Sequence, residues 1–295
     1  MFIFDLAYKR LQRKKRGSNF MRRMLLHFAD PTVTSSINNQ KIKVPFSHMG
    51  IIYITWYPRY DRQLPIICSY IKDIKKQSIS IVDVGANVGD TILCIGDRDA
   101  KYLAVEGVEK FYSLIPENLK EYDYILEKSF CGESEEKVSD VKFEKGTAII
   151  ATSNNNTDNI VSVESLTNIC NKYSFYPDFI KIDTDGFDFK VIRGSKDILT
   201  KYKPALYFEW TLPELLSNNE NPISIFKELS DLKYCQGILL DNFGNPMMRF
   251  NTSDSRLLKD IIDYSSLKDA YYDVIVIHEE SGLILDEIWN RLLRE

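Results

Sequence analysis

Acidic residues and glycines in the middle of the chain stand at spacings that could do chemistry. The segment Asp83-Val84-Gly85-Ala86-Asn87-Val88-Gly89-Asp90-Thr91 follows an apolar run and sets Gly85 and Gly89 in a bend with a carboxylate on either side. Glycine lets the backbone turn tightly and lets a ligand approach. Dinucleotide folds use G-x-G-x-x-G at such a bend, where a helix N-terminus receives a pyrophosphate. Here the pattern is G-x-N-x-G. Asp83 and Asp90 would repel a pyrophosphate and suit an ammonium or sulfonium group. The bend therefore favours S-adenosylmethionine, with S-adenosylhomocysteine as its product, over NAD. Glu106 ends the next apolar run, 21 residues after Gly85, where a carboxylate can accept both hydroxyls of a ribose. The expected cofactor cradle is Asp83, Gly85, Ala86, Asn87, Gly89, Asp90, Thr91 and Glu106. Ser129 and Phe130, after a third apolar run, border the adenine; Phe130 could stack on it or belong to the core.

A second group of acids, Asp183, Asp185, Asp188 and Glu209, follows two further apolar runs. Methyl transfer to a hydroxyl needs alignment and a base within reach of the hydroxyl proton. Asp183 is the first candidate and also borders the cofactor. Asp185 and Glu209 share the role or hold the acceptor's hydroxyls. Lys181 lies two residues before Asp183, so both side chains leave the same face of a strand and Lys181 can pair with an acid. Asp188 reads as a helix N-cap after an Asp185-Gly186 turn. The run D-x-D-G-x-D differs from a calcium loop, whose glycine stands sixth. No metal site is assigned. A divalent cation on Asp183, Asp185 or Glu209 is the less favoured alternative.

For an acceptor, Trp56, Tyr57, Arg59, Asn155 and Trp210 lie in three polar or aromatic interruptions: Thr55–Asp61, 152–159 and Trp210–Asn221. Aromatic faces with an arginine and asparagines suit a sugar ring. The competing reading places Trp56 and Tyr57 in the core and leaves Asn154–Asn156 as a solvated loop.

The order of these motifs resembles one family. Asp83-Val84-Gly85-Ala86-Asn87-Val88-Gly89 is similar to motif I of FkbM-type methyltransferases, and Val105-Glu106 to their ribose-binding acid. Phe179-Ile180-Lys181-Ile182-Asp183-Thr184-Asp185-Gly186, followed by Val191-Ile192-Arg193-Gly194, resembles their K-I-D-x-E-G and V-x-x-G hallmark. Pro204-Ala205-Leu206-Tyr207-Phe208-Glu209 is similar to their next strand. Asp185 departs from the pattern, since a glutamate is usual there, and its shorter arm reaches less far. The resemblance implies a class I, S-adenosylmethionine-dependent methyltransferase. It further implies a hydroxyl acceptor on a sugar, glycan or natural product.

The elements that must position these residues alternate. Strands are expected at Ser78–Val84, Tyr102–Val105, Tyr124–Ser129, Phe179–Asp183, Ala205–Glu209, Gly237–Leu240, Met247–Phe250 and Asp273–His278. Helices are expected at Leu64–Ile74, from Thr91, at Lys110–Glu121, Ser165–Lys172, Asp188–Leu199, Ile223–Leu232 and Leu285–Leu293. Such alternation implies an α/β, doubly wound, mostly parallel Rossmann-like sheet, seven-stranded as the resemblance implies. It would occupy 77–295, with insertions near 138–163 and 210–221. Residues 1–76 read as an N-terminal extension: a basic helical lead-in ending at Asp30-Pro31, then a hairpin or short strands over Val44–Trp56.

The 295 residues carry a net charge of −4. Residues 1–23 hold eight Lys and Arg against Asp5 alone, a net of +7, which leaves −11 on the rest. An acidic body excludes a nucleic-acid partner, because phosphate contacts dominate such binding. The basic stretch 9–23 suits an anionic membrane surface or an acidic protein, or forms a frayed, solvated terminus. Five scattered cysteines without a C-x-x-C motif fit a reducing, cytoplasmic setting. Two other functions compete: a nucleotide-dependent oxidoreductase, disfavoured by the acids at the bend, and a non-catalytic partner protein that keeps the fold.

Overall fold

The computed structural model describes residues 2–139, 141–144, 147–150, 160–268 and 270–294, and side chains outside 136–161. Its first sheet is a hairpin of β1 (Thr32–Ile37) and β2 (Gln40–Pro45), paired antiparallel. The turn between them uses Asn38 and Asn39, both at positive φ, which suits the twist of a two-residue hairpin turn. β1 alternates exposed and buried residues, as a half-buried strand must. The hairpin therefore precedes its expected place, and Gly50–Trp56 is a helix. The basic lead-in is two helices, Phe2–Gln12 and Ser18–Leu26, broken at Gly17 with φ 76°.

The central sheet is built from β3 (Ser80–Val84), β4 (Lys101–Val105) and β5 (Asp123–Glu127). Three strands outside it follow in the chain, β6 (Phe130–Gly132), β7 (Glu136–Ser139) and β10 (Ile160–Ser165), and form a small sheet of their own. Between β7 and β10, β8 (Val141–Glu144) pairs with β9 (Thr147–Ile150). The central sheet resumes with β11 (Phe179–Ile182), β12 (Ala205–Trp210), β13 (Gln236–Asp241), β14 (Pro246–Asn251) and β15 (Tyr272–Ile277). Its order is β14-β13-β15-β12-β11-β3-β4-β5, eight strands rather than seven, because β14 adds to the edge as a hairpin partner of β13. Strands β5, β4, β3, β11 and β12 run parallel, and β15 pairs antiparallel to both β12 and β13. The order reverses between β3 and β11. In doubly wound sheets ligands sit at the strands' carboxyl ends at such a switch point.

Helices cover both faces. One core gathers Ile81, Leu93 and Ile275 with Leu64 and Ile71 of helix Gln63–Lys75. Tyr8, Leu11, Phe46, Ile51 and Ile52 join the same core, so a boundary at 76/77 does not divide it. The other core packs Val82, Ile180 and Phe208 against helices Leu166–Lys172, Asp188–Gly194 and Ser224–Asp231. Central strands are buried on both faces, as their apolar runs require. Helix 188–199 divides at Ser195, and 110–121 becomes two four-residue turns. Helices Leu212–Ser217 and Ser255–Lys268 lie outside the expected elements. No helix among the described residues is long and apolar enough to cross a membrane.

Candidate active site

Register brings the chemistry to one edge. Val84 pairs with Val105 on one side and Ile182 on the other, and Ile182 pairs with Phe208. Gly85, Glu106, Asp183 and Glu209 follow these positions directly and emerge together at the carboxyl ends. They border a cavity of about 330 Å³, within the usual range for small-molecule sites.

The bend after β3 is tight for a stated reason. Gly85 has φ 78°, and a Cβ there would stand 1.9 Å from the Asp183 carbonyl oxygen. Only glycine lets the turn after β3 pass the end of β11 so closely. Gly89, at φ 85°, packs on Leu119 instead. Gly89 and the buried Ala86 do not border the cavity; both serve the turn. Asp83 is fully buried beneath the site, 3.6 Å from Lys181 Nζ, and does not reach the cavity. Asn87, Asp90 and Thr91 border it.

Glu106 accepts hydrogen bonds from the Asn87 N–H (2.8 Å) and the Val108 N–H (2.7 Å). Burial pushes its carboxyl up to about 7 despite these two bonds. Phe130 borders the cavity over Gly107, where a Cβ would meet its ring at 2.5 Å. Ser129 is buried at the same wall, and its hydroxyl has no hydrogen-bond partner. The Asn87 side-chain oxygen is likewise unpartnered.

At the neighbouring strand ends, Lys181 donates to Asp183 (3.0 Å). Burial opposes the lysine's charge, yet Asp183, Asp83 and Asp61 together hold its pKa well above the usual value. Asp183 is half-exposed at the mouth. Burial, with Asp183 and Glu214 nearby, raises Asp185 to about 8, and burial raises Glu209 well above the usual range. Asp188 does not cap its helix. It accepts from Thr184 N and Oγ1 and from the Glu209 N–H, tying the loop after β11 to β12. Among the described residues no three His, Cys, Asp or Glu side chains converge as a metal shell.

One wall was not anticipated from sequence. His48, Tyr53, Tyr60 and Asp61 come from the N-terminal segment and border the cavity. His48 Nε2 lies 3.1 Å from Asp90 Oδ2. Burial alone would raise Asp90, but His48 alongside holds it below the usual range. Burial lifts Asp61 to about 7 in spite of Lys181. Asp61, Asn87 and Asp185 all hold positive φ, a conformation that Asn and Asp tolerate best after glycine and that gathers at ligand sites.

The expected acceptor residues lie elsewhere. The Trp56 indole donates to the Leu11 and Gln12 carbonyls, Tyr57 packs on Phe243, and Arg59 donates to the Leu292 carbonyl. Trp210 is buried in the second core and donates to the Pro222 carbonyl. None of these four borders the cavity. Asn155 lies outside the described residues. The segment 55–61 supplies the wall through Tyr60 and Asp61 instead. The pairing that sets this wall joins residues 42 positions apart, which no local pattern signals.

The fold and site define a doubly wound α/β protein with an acid-lined cavity at its switch point. A profile of the methyltransferase FkbM domain matches residues 83–234, just over half of the chain. The chain belongs to the FkbM methyltransferase family. No curated protein matches it in sequence. Among solved structures it is similar to the FkbM methyltransferase of Methylobacillus flagellatus KT, with 18% identity and a TM-score of 0.37. That alignment covers 50% of this chain and 37% of the other. It is also similar to the S-adenosylmethionine-dependent methyltransferase of Agrobacterium tumefaciens (9% identity, TM-score 0.43, 84% and 71% covered). The O-methyltransferase TomG of Streptomyces achromogenes gives 7% identity and a TM-score of 0.41, with 74% and 79% covered. At these values the family assignment rests on the domain profile.

Proposed function

We propose that this chain transfers a methyl group from S-adenosylmethionine to a hydroxyl of a sugar, glycan or related small molecule. The observation that carries the reading is the cavity's charge. Asp61, Asp90, Glu106 and Asp183 border it against Lys181 and His48, while burial favours the neutral form of Asp185 and Glu209. A ligand bearing an ammonium and a sulfonium answers that excess.

The donor fits the residues present. Glu106 offers its free lone pairs to the ribose hydroxyls. Phe130 offers a face to the adenine, and Ser129, buried and unpartnered, offers a hydrogen bond. Asp61, which borders the cavity, suits the amino group. When bound, S-adenosylmethionine supplies an electrophilic methyl group. The chain's own work is to hold the acceptor oxygen in line and take its proton. Asp183, held by Lys181 at the mouth, is the proton acceptor. Asp185, raised to about 8, is mainly protonated at pH 7 and donates a hydrogen bond to an acceptor oxygen, and burial likewise favours the neutral form of Glu209. The wall of His48, Tyr53 and Tyr60 receives the acceptor's ring.

The test uses tritium-labelled donor and a panel of sugar nucleotides, oligosaccharides and primary amines. The reading expects label on hydroxyl-bearing acceptors, and a fall of about 100-fold or more in kcat for Asp183→Asn with donor affinity nearly kept. Label only on amines would overturn the hydroxyl assignment. Unchanged turnover in Asp183→Asn would remove it as the base.

A further inference from the structure

We infer that the two N-terminal helices form a docking face for an anionic lipid surface. Six of the fifteen large apolar side chains that lie exposed among the described residues fall within residues 2–28: Phe2, Ile3, Leu6, Phe20, Met24 and Phe28. Phe2, Phe20 and Phe28 are 82%, 76% and 80% exposed. This concentration is far above an even spread along the chain, and clustered exposed apolar groups mark interaction surfaces.

The helices are anchored, so these side chains are not a loose end. Tyr8 and Leu11 of helix Phe2–Gln12, and Leu25 of helix Ser18–Leu26, are buried in the first core. The Tyr8 hydroxyl donates to the His48 carbonyl, and Arg22 donates to the carbonyls of Phe46 and Ser47. With the inner sides fixed, Phe2, Ile3, Leu6, Lys9 and Arg10 face out from the first helix, and Arg13 is exposed just after it. Phe20, Arg23 and Met24 face out from the second, with Lys15 and Arg16 exposed in the connection. Among the described residues none of Lys9, Arg10, Arg13, Lys15, Arg16 or Arg23 pairs with a carboxylate. Helices that bury an apolar side in a bilayer interface carry such lysines and arginines beside it. Aromatic and aliphatic tips intermixed with cations suit the boundary between acyl chains and anionic headgroups. An acidic protein surface would not need the three exposed phenylalanines.

Charge also fixes the orientation. The first 23 residues carry +7 and the rest −11, so an anionic surface attracts this face and repels the others. Tyr8 and Arg22 tie these helices to the 46–48 segment, which carries His48 of the cavity wall.

The test is co-sedimentation of the full chain with vesicles of phosphatidylcholine alone or with phosphatidylglycerol mixed in, which supplies the anionic surface that attracts polybasic segments. The inference expects at least tenfold stronger partitioning onto the anionic vesicles, most of it lost in 0.5 M salt. Phe20→Ser/Phe28→Ser and Lys15→Glu/Arg16→Glu should each reduce partitioning about tenfold, while circular dichroism and melting temperature stay unchanged. Equal partitioning onto both vesicles, or none, would overturn the inference. So would normal binding by both double variants. Donor binding is independent of this face, so its failure would not be mistaken for failure of the lipid contact.

Discussion

Donor binding at pH 7 should release about one proton per site. Burial holds Glu106 and Asp61 each at about 7 in the free protein, so at pH 7 each is about half protonated. Ribose hydroxyls donating to Glu106, and positive charge brought near Asp61, both favour the ionised form. Completing the ionisation of two half-protonated groups releases about one proton in total. Calorimetric titration in buffers of different ionisation enthalpy reads this number as the slope of observed heat against buffer enthalpy. The slope should correspond to about one proton released at pH 7 and fall towards zero by about pH 9, where both groups are already ionised. Glu106→Gln should cut the pH 7 value to about half a proton. Binding with a slope of zero at pH 7, or with uptake, would refute the reasoning. An unchanged slope in Glu106→Gln would refute the assignment of that carboxyl.

Other outcomes follow from the same geometry. Gly85→Ala puts a Cβ 1.9 Å from the Asp183 carbonyl oxygen at positive φ, and should cost roughly 3 kcal/mol, lowering the melting temperature by about 6–12 °C. Glu106→Ala loses two backbone hydrogen bonds as well as the ribose contact, and should weaken donor binding by about 1–3 kcal/mol in a direct titration. His48→Ala should lower kcat/KM for the acceptor about tenfold or more while donor affinity moves less than about threefold; equal losses would place His48 on the donor side. For stability against pH, the sign is set by the raised acids. Glu106, Asp61, Asp185 and Glu214 hold folded values of about 7 to 8, above ordinary values of 3.8 to 4.5. The folded chain therefore binds more protons than the unfolded chain in that window. Stability from these groups is greatest below about pH 4 and falls as pH rises towards 8. A melting temperature of the free protein that climbs from pH 5 to pH 8 would contradict this.

The bend and its acids were legible because their signal is local. An apolar strand, two glycines and Glu106 after the next strand lie within 27 positions, and parallel pairing brings them together in any doubly wound sheet. The same holds for Asp183 and Glu209. Gly89, Ala86 and Asp83 carried the pattern but serve the turn and its underside, since a motif cannot say which side of a bend faces the ligand. The wall from the N-terminal segment was legible only in part: 55–61 borders the cavity, but through Tyr60 and Asp61. Trp56, Tyr57 and Arg59 have the residue types of a sugar site, yet they pack against Leu11, Phe243 and Leu292. His48 reaches the cavity only because the hairpin and the first two helices pack into the sheet's core. The early hairpin was hidden by its polar exposed face, Thr32, Thr34 and Ser36, which reads as a loop. Trp210 ends a strand whose neighbours bury it.

The most direct test of the central claim is equilibrium dialysis of the intact protein against S-adenosylmethionine, S-adenosylhomocysteine and NAD in parallel. One site per chain should take up both sulfur-bearing nucleosides and leave NAD free. Uptake of NAD in their place, or of none of the three, would contradict the assignment of this acidic cavity to a cationic methyl donor.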